Sequence, residues 1–417
     1  MEAKFGMERV ILHSDMNCFY ASVEMMLNPL LRGKAVAVCG ATEDRHGIVL
    51  AKSELAKKAG VKTGMVNWEA KRICPNLILV QPHYEQYLKY SKLAHQIYYR
   101  YTDMVEPYGM DECWLDVSGS DVFGTGLEIA EKIRKSMREE LGLTVSIGVS
   151  FNKIFAKLGS DMKKPDAITV IGKDDFKDKI WRLPASDLLY VGRATTQKLQ
   201  RYGIFTIGQL AALEPKTLKT WFGVNGLRLW QYANGTDISQ VMQKDYVSPI
   251  KSIGHGITCI ADLENEDEVW KVMLELSQDV GQKLRVHELE AKCVQVTIRC
   301  SDLCFRQFQC QLETPTQNAT EIAKTGFSLL REKYIWNGPI RAVTIRAINL
   351  RPKNQNVQLD LFDDAAKRER LERLDATIDE IKRRFGKHSI FPATLMGDLK
   401  MPPKRDVELI MPGMMYV

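Results

Sequence analysis

Two adjacent acidic residues, Asp111 and Glu112, lie inside an otherwise apolar stretch of the sequence. Carboxylates in such surroundings need a cation or a metal ion as a partner. On a regular strand neighbouring side chains point to opposite faces, so both acids can serve one site only at a strand end or a bulge. Pro107 and Gly109 favour an irregularity of this kind just before the pair. The pair is therefore a candidate metal site.

A third acid, Asp15, ends a short apolar segment that begins at Arg9 and predicts a strand, with a helix starting near Cys18. Magnesium takes hard oxygen ligands, and two ions about 4 Å apart can stabilise the attacking and leaving oxygens of an in-line phosphoryl transfer. Asp15, Asp111 and Glu112 could supply those oxygens. The spacing alone leaves another interpretation open, because acids at strand ends are usually solvated.

Three ordered segments contain these acids and extend the pattern. They are Ser14–Glu24, Met110–Asp116, and Ser146–Lys157 with the following Asp161–Pro165. In content and spacing they resemble the motifs of the Y-family DNA polymerases, the group that includes bacterial DNA polymerase IV and the catalytic subunit of polymerase V. The resemblance runs over roughly the first 350 residues. It implies a template-directed, low-fidelity polymerase of translesion synthesis.

The resemblance also implies roles for individual residues. Asp15, Asp111 and Glu112 would be the catalytic metal ligands, with the Met16 carbonyl as a backbone ligand, for two Mg²⁺ ions that Mn²⁺ can replace. The incoming dNTP would be bound by Phe19, Tyr20, Lys57 and Lys164. Lysine suits a triphosphate as a point charge.

Tyr20 occupies the position where the family keeps a bulky aromatic side chain beneath the sugar. As a steric gate it would clash with a ribose 2′-hydroxyl and exclude ribonucleotides. Read without the family, Tyr20 is simply a core aromatic residue.

The fingers segment departs from the DNA polymerase IV pattern. Glu54 and Lys57 stand where those members carry a tyrosine and an arginine that bind phosphate. Lys57 keeps the positive charge, whereas Glu54 would repel a triphosphate, so we expect its side chain to turn away. Asn17, in place of an aspartate, resembles the polymerase V branch.

Three glycines and three arginines are candidates for DNA binding. Gly223 and Gly226 fit a helix-hairpin-helix turn, and Gly192 fits a second one, in which helix N-termini hold a backbone phosphate. Arg299, Arg341 and Arg346 fall on strands of a later domain, as expected for a sheet that follows a duplex. Ordinary helix connectors and a mixed-charge surface are the alternatives.

Near the C-terminal end, Gln358, Leu359, Leu361 and Phe362 resemble the bacterial motif that binds the sliding clamp. Exposed Leu and Phe in a polar segment need a burial partner, which is either the clamp or the protein's own surface. A charged helix is predicted over 364–385, because Leu371, Leu374, Ile378, Ile381 and Phe385 recur at helical spacing.

The elements that would position these residues alternate between strands and helices, which indicates an α+β multidomain chain. Strand candidates in the first part are Arg9–Asp15, Ala35–Cys39, Ile48–Ala51, Leu77–Val80, Cys113–Val117, Thr144–Val149 and Ile168–Ile171. Residues 174–235 read as a small helical module. Two helices and four further strands are predicted over 248–352, the strands being Ile250–Thr258, Cys293–Arg299, Phe305–Leu312 and Arg341–Leu350.

With the resemblance, these segments predict a right-hand polymerase. Its domains would be a palm (1–27 and 80–171), small fingers (28–79), a helical thumb (172–240), a linker (241–247), a little finger (248–352) and a tail (353–417). We expect the chain to act as a monomer on primer-template DNA.

Composition limits the alternatives. The net charge of +6 permits a polyanionic partner without indicating one. No apolar run approaches the roughly 18 residues of a membrane helix, and nine scattered cysteines do not suggest a disulfide framework, so we expect a cytoplasmic protein at the nucleoid. Two alternatives to a self-sufficient polymerase stay open: a non-catalytic, clamp-tethered DNA-binding protein, and an enzyme that needs an accessory subunit.

Overall fold

The computed structural model describes residues 9–43, 45, 47–353, 355 and 365–402. The chain divides into two compact units. The first comprises the N-terminal stretch up to Gly40 together with Ile48–Ser248. The second comprises the short loop Ala41–Gly47 and the described part of the chain from Pro249.

A five-stranded sheet forms the centre of the first unit. Its strands are β1 (Ile11–Met16), β5 (Val105–Pro107), β6 (Glu112–Asp116), β7 (Val145–Ser150) and β8 (Ile168–Ile171), in the order β5-β6-β1-β7-β8. All neighbours are antiparallel except β7 and β8. Every residue of β1 and of β7 is buried, because helices cover both faces of the sheet.

The helices on this sheet are α1 (Phe19–Leu27), α4 (Tyr84–Tyr98), α5 (Gly126–Leu141) and α6 (Lys153–Met162). The apolar faces of α1, α4 and α5 and the strands form one core, in which Leu12, Leu115 and Ile147 meet Tyr87, Tyr98 and Ile133. Helix α5 begins with a capping box, since Thr125 and Glu128 satisfy each other's backbone N–H groups.

A smaller sheet lies between α1 and α4 in the chain. It contains β2 (Val36–Cys39), β3 (Val49–Lys52) and β4 (Ile78–Val80) in the order β3-β2-β4, with the helices α2 (Glu54–Lys58) and α3 (Asn67–Ile73). Its own small core includes Ala37, Val49, Ala56 and Leu77.

The remainder of the first unit is helical. The helices are α7 (Phe176–Ile180), α8 (Arg193–Arg201), α9 (Ile207–Ala211), α10 (Pro215–Phe222) and α11 (Val224–Ala233). Gly226 of α11 lies so close to α10 that a Cβ atom there would meet the Leu218 carbonyl oxygen at 2.0 Å. The chain beyond α11 returns to the large sheet, where Val241 is buried against Ile11 and Trp114.

The second unit is an antiparallel sheet covered on one face by two helices. The strands are β9 (Ser252–Leu263), β10 (Leu289–Cys300), β11 (Phe305–Thr316) and β12 (Ile340–Pro352), in the order β11-β10-β12-β9. The helices α12 (Glu266–Val286) and α13 (Ala319–Lys333) pack on alternate strand residues such as Val294, Val296 and Ile345.

A C-terminal helix, α14 (Ala365–Phe385), joins this unit. It is attached through Arg285 of α12, whose guanidinium group lies 3.1 Å from an oxygen of Asp375 and 2.5 Å from one of Asp379. Further on, Leu395 is buried against Leu274 and Ala323. Within the described part of the chain, no helix combines the length and the apolarity needed to cross a membrane.

Candidate active site

The three acids predicted as metal ligands come from two neighbouring strands. Asp15 lies near the end of β1, and β6 begins at Glu112, which stands directly opposite Asp15 in the strand register. Asp111 immediately precedes β6, and its carbonyl oxygen accepts a hydrogen bond of 2.9 Å from the N–H of Met16. The adjacent acids therefore lie at a strand end, one of the two arrangements in which they can share a site. The structure brings all three acids together where β1 ends and β6 begins.

Two lysines neutralise part of this negative charge. The ammonium group of Lys157, on α6, lies 2.8 Å from Glu112 Oε2, 3.4 Å from Asp15 Oδ2 and 3.3 Å from Asp161 Oδ2. Lys164 Nζ lies 2.8 Å from the same oxygen of Asp15 and 2.9 Å from Asp161 Oδ1. Cations therefore already occupy the space between the carboxylates.

The ionisation of the acids reflects this crowding. Burial, and then the negative charges of Glu112 and Asp15, raise the pKa of Asp111 to about 7. Burial also raises the pKa of Asp15, against the effect of Lys164. Burial lowers the pKa of Lys157, but the charges of Glu112 and Asp15 outweigh this effect and raise the pKa above its ordinary value. A charged Lys157 is thus a fixed part of the site.

His13 is a fully buried neighbour of Glu112, and burial lowers its pKa to about 4, so its ring is neutral at pH 7. The Ser160 hydroxyl donates to the Lys157 carbonyl oxygen at 2.7 Å and lies 2.8 Å from Nδ1 of His13. His13 Nε2 faces Glu112 Oε2 at 3.5 Å. Burial works against ionisation of Glu112, but the contacts with His13 and then with Lys157 hold its pKa below the ordinary value.

The donor set fits divalent cations of the magnesium type, which prefer carboxylate and carbonyl oxygens. Among the residues that the structure describes, no three acidic, histidine or cysteine side chains are already arranged around one point. The ammonium group of Lys157 instead stands among the carboxylate oxygens as a cation. A cavity of about 310 Å³ adjoins this site, and its walls include Asp15, Met16, Asp111, Glu112 and Lys164.

Of the four residues predicted to bind the nucleotide, three line this cavity. They are Phe19, whose side chain is buried in the core, Lys57 and Lys164. The ring of Tyr20 stacks on Tyr87 next to the cavity, with ring centroids 4.1 Å apart. Burial, and then the charge of Asp111, raise the pKa of Tyr20, which places its hydroxyl group in the field of that acid.

Glu54 differs from the expectation that it turns away. It lies on the cavity wall, where its Oε1 atom accepts a hydrogen bond of 3.1 Å from the thiol of Cys18. Lys57 Nζ is 3.8 Å from the same oxygen. Burial and the hydrogen bond to Glu54 raise the pKa of the Cys18 thiol to about 12. The Cys18 contact holds Glu54 inward, because it satisfies a carboxylate oxygen that would otherwise need solvent.

Asn17 is buried beside the acids and joins two segments of the site. Its Oδ1 atom accepts a hydrogen bond of 2.8 Å from the N–H of Asp166, and its Nδ2–H donates to Ser146 at 2.9 Å. Asn17 thereby fixes the loop that carries Lys164. Asn17, His13 and Lys157 are site residues to which the sequence analysis gave no definite role. The signal that could have identified Lys157 is its place in the segment Ser146–Lys157.

The glycines predicted to bind DNA lie at helix starts. Gly192 precedes α8, and Gly223, with φ of 62°, joins α10 to α11. The N–H of Gly226 donates to the Gly223 carbonyl oxygen at 3.1 Å, and its missing side chain permits the close contact with Leu218. Gly226 thus has a packing role that the turn motif did not reveal.

The predicted arginines lie on the sheet of the second unit. Arg299 of β10 and Arg346 of β12 stand on the face opposite to α12 and α13, together with Gln295, Thr297 and Thr344. Arg341 lies at the start of β12, where the register shifts. Arg351, by contrast, is buried in an ion pair of 2.7 Å with Glu290. The clamp-motif residues Gln358, Leu359, Leu361 and Phe362 lie outside the described residues.

Comparison with known proteins identifies the family. Residues 14–161 match the model of the impB/mucB/samB family, and residues 250–361 match the model of its C-terminal domain. The chain is 48% identical to DNA polymerase IV of Acetivibrio thermocellus, over 94% of this chain and 98% of the relative. It is 37% identical to DNA polymerase IV 1 of Bacillus subtilis, over 91% of this chain and 92% of the relative.

A solved structure shows the same fold. The chain resembles a Y-family DNA polymerase chimera of Dbh and Dpo4 with a TM-score of 0.73, over 82% of this chain and 99% of that one, at 24% identity. The α+β multidomain polymerase fold expected from the sequence is thereby confirmed, and the non-catalytic alternative is not favoured. The chain belongs to the Y family of DNA polymerases, in the DNA polymerase IV group: it is a DNA-directed DNA polymerase of translesion synthesis that binds primer-template DNA and uses divalent metal ions.

Proposed function

We propose that Asp15, Asp111 and Glu112, with the carbonyl oxygen of Met16, hold two Mg²⁺ ions, which Mn²⁺ can replace. The observation that carries this proposal is the position of Lys157, whose ammonium group lies 2.8 Å from Glu112 and 3.4 Å from Asp15. Buried carboxylates that attract a cation so closely have the charge and the oxygen donors that a divalent ion requires.

The reaction is the transfer of a nucleotide from a dNTP to the 3′-hydroxyl of the primer. The bond that forms joins the primer oxygen to the α-phosphorus atom, and the bond that breaks releases pyrophosphate. When bound, the two ions stabilise the charge on the attacking and the departing oxygens. The chain itself contributes Lys57 and Lys164, which contact the triphosphate as point charges.

Tyr20 is the proposed steric gate against ribonucleotides. Its half-buried ring lies beside Phe19 and stacks on Tyr87, so it presents a fixed aromatic surface next to the cavity. A ribose 2′-hydroxyl would need space that the ring occupies.

Two surfaces are proposed to bind the DNA backbone. The first consists of the helix starts at Gly192, Gly223 and Gly226, where the positive end of the helix dipole attracts phosphate. The second consists of Arg299, Arg341 and Arg346 on the sheet of the second unit. The open face of that sheet presents Gln, Thr and Arg side chains, which suit phosphate and sugar contacts without sequence preference.

We infer that Gln358, Leu359, Leu361 and Phe362 bind a sliding clamp, and that the chain acts as a monomer. The clamp assignment rests on the resemblance of this segment to the clamp motif. Clamp-stimulated synthesis should be lost in a Leu361→Ala, Phe362→Ala variant that keeps its clamp-independent activity, and retained stimulation would refute the assignment.

Primer extension tests the proposed active site. Purified chain, Mg²⁺ and four dNTPs should extend a labelled primer, and chelation should stop the reaction. The Asp111→Asn, Glu112→Gln variant should lose roughly a thousandfold in rate while DNA binding measured by fluorescence anisotropy is retained. Extension by the variant at the parental rate would disprove the assignment of these acids as metal ligands.

A further inference from the structure

The ring of Tyr20 is held by another tyrosine on a different helix. Tyr20 of α1 and Tyr87 of α4 stack with ring centroids 4.1 Å apart and an angle of 8° between their planes. Tyr84, one turn before Tyr87, meets the ring of Tyr20 edge-on at 6.0 Å and that of Tyr87 at 5.7 Å. The ring of Phe19 lies 5.6 Å from that of Tyr20 and 6.1 Å from that of Tyr87. The gate is thus one member of a four-ring cluster, with its ring plane set by Tyr87.

Tyr87 is itself anchored at its far end. The residue is fully buried, and its hydroxyl group donates a hydrogen bond to Oε1 of Glu24. His83 Nδ1 lies 3.0 Å from both carboxylate oxygens of Glu24. Tyr87 therefore cannot rotate or slide without breaking a hydrogen bond to a buried carboxylate.

The contacts between α1 and α4 involve residues that lie four positions apart on each helix. Tyr20 and Glu24 are four residues apart on α1, and His83 and Tyr87 are four residues apart at the start of α4. Residues at this spacing share one helix face. The stack at one end and the carboxylate contacts at the other therefore join the same two faces, which fixes Tyr20 relative to the sheet that carries the metal ligands.

Glu24 has no part in the proposed transfer reaction. Its side chain is 2% exposed, and a carboxylate removed from water in this way costs stability unless its partners are well placed. A buried carboxylate of this kind is explained if it fixes the position of a neighbouring side chain that apolar packing alone would leave variable.

We propose that Tyr87, held by Glu24, is a positioning residue for sugar selection. It keeps the ring of Tyr20 in the plane in which a 2′-hydroxyl collides with it. Without the stack, the ring of Tyr20 can tilt aside and admit the extra oxygen atom. This inference rests on the proposed role of Tyr20 as the gate.

The test is the discrimination between sugars, measured as the ratio of kcat/KM for one dNTP to that for the matching rNTP at a single template base. Since an aromatic stack contributes on the order of 1 kcal/mol, Tyr87→Leu should lower the ratio about fivefold. Tyr87→Phe and Glu24→Gln keep the rings and break or weaken the anchor, and each should lower it about twofold. In all three variants the loss should come from faster rNTP insertion, with kcat/KM for the dNTP close to the parental value, which a merely destabilised enzyme would not show.

Two control variants separate the possible failures. Tyr98→Leu removes another buried tyrosine ring from α4 that makes no ring contact with Tyr20, and it should leave the ratio unchanged. Tyr20→Ala should lower the ratio by roughly tenfold to a hundredfold.

If Tyr20→Ala has this effect and the Tyr87 and Glu24 variants keep the parental ratio, the positioning role of Tyr87 is wrong and the role of Tyr20 as the gate stands. If Tyr20→Ala also keeps the ratio, the gate itself is wrong. Should Tyr87→Leu fail to fold, Tyr87→Phe and Glu24→Gln decide the question.

Discussion

Lys157 sets the charge balance of the active site. Its ammonium group contacts Asp15, Glu112 and Asp161, and Lys164 contacts two of the same acids. With Asp111 included, four carboxyl groups face two ammonium groups, so ionisation of all four leaves an excess of negative charge that divalent cations can compensate. Burial raises the pKa of Asp111, and the negative charges of Glu112 and Asp15 add to this effect.

Glu54 lowers the positive charge available to a triphosphate, because it lies 3.8 Å from Lys57 on the cavity wall. We expect Glu54→Gln to free Lys57 and to lower KM for dNTP about threefold at low salt, since partly exposed ion pairs contribute less than about 1 kcal/mol. Steady-state insertion of one nucleotide measures the change. The effect should shrink as ionic strength rises.

Glu69→Gln is the matched control for Glu54→Gln. Glu69 is also acidic and lies in the first turn of the neighbouring helix α3, but it does not line the cavity. Its removal changes the net charge equally and should leave KM unaltered. An equal decrease in both variants would show that overall charge, and not the contact with Lys57, is responsible.

The sequence predicted the positions of the acids better than the contacts of the residues around them. Asp111 and Glu112 were expected at a strand end or a bulge, because neighbouring strand residues cannot otherwise share a site, and the structure has the strand end. The direction of Glu54 could not be predicted in this way. It depends on the thiol of Cys18, which a tertiary contact between α1 and α2 supplies. The part played by His13 likewise depends on Ser160, far away in the chain.

At the scale of elements, α6 carries Lys157 to the acids because it packs closely on the sheet. Gly148 of β7 makes this possible, since a Cβ atom there would meet the Ala156 carbonyl oxygen at 1.9 Å and the Ser160 nitrogen at 2.6 Å. The strands predicted from apolar runs are present in the first unit with ends shifted by at most two residues, and β8 has the predicted ends. In the second unit they extend further, because neighbour pairing lengthens strands beyond their apolar centre.

Gly148→Ala should destabilise the first unit by about 2 kcal/mol, because the backbone atoms that the new methyl group meets cannot move aside easily. Urea unfolding followed by circular dichroism measures the loss. Gly119→Ala is the control, since nothing lies within 4 Å of a Cβ atom at that position. Equal stability of the two variants would mean that α6 does not need its close approach.

At the scale of the whole molecule, the C-terminal helix α14 packs on the second unit. The sequence predicted α14 and a stripe of apolar residues along it, but Leu374 and Phe385 of that stripe are 53% and 74% exposed. The helix is held instead by Asp375 and Asp379 on Arg285, whose side chain is only 12% exposed. Periodicity could not reveal this attachment, because it depends on a charged residue of α12.

Removing both acids from this attachment should be costly. In an Asp375→Asn, Asp379→Asn variant, Arg285 would stay largely buried without a carboxylate, so the second unit should lose about 3 kcal/mol of unfolding free energy. Glu380→Gln on the same helix should leave stability almost unchanged, because its ion pairs with Arg383 and Arg384 are exposed. Chemical denaturation of the full chain distinguishes the two, and similar stability of both variants would contradict this view of the attachment.

Binding of Mn²⁺, followed by electron paramagnetic resonance, tests the central claim most directly. The sample is the chain with primer-template DNA, a chain-terminated primer and the next dNTP, so that no turnover occurs. We predict two bound ions per chain, as the two-metal reaction requires, and the loss of at least one in an Asp15→Asn, Asp111→Asn variant that still binds DNA. The same number of ions, bound with the same affinity by the variant, would contradict the assignment of these acids as the metal ligands.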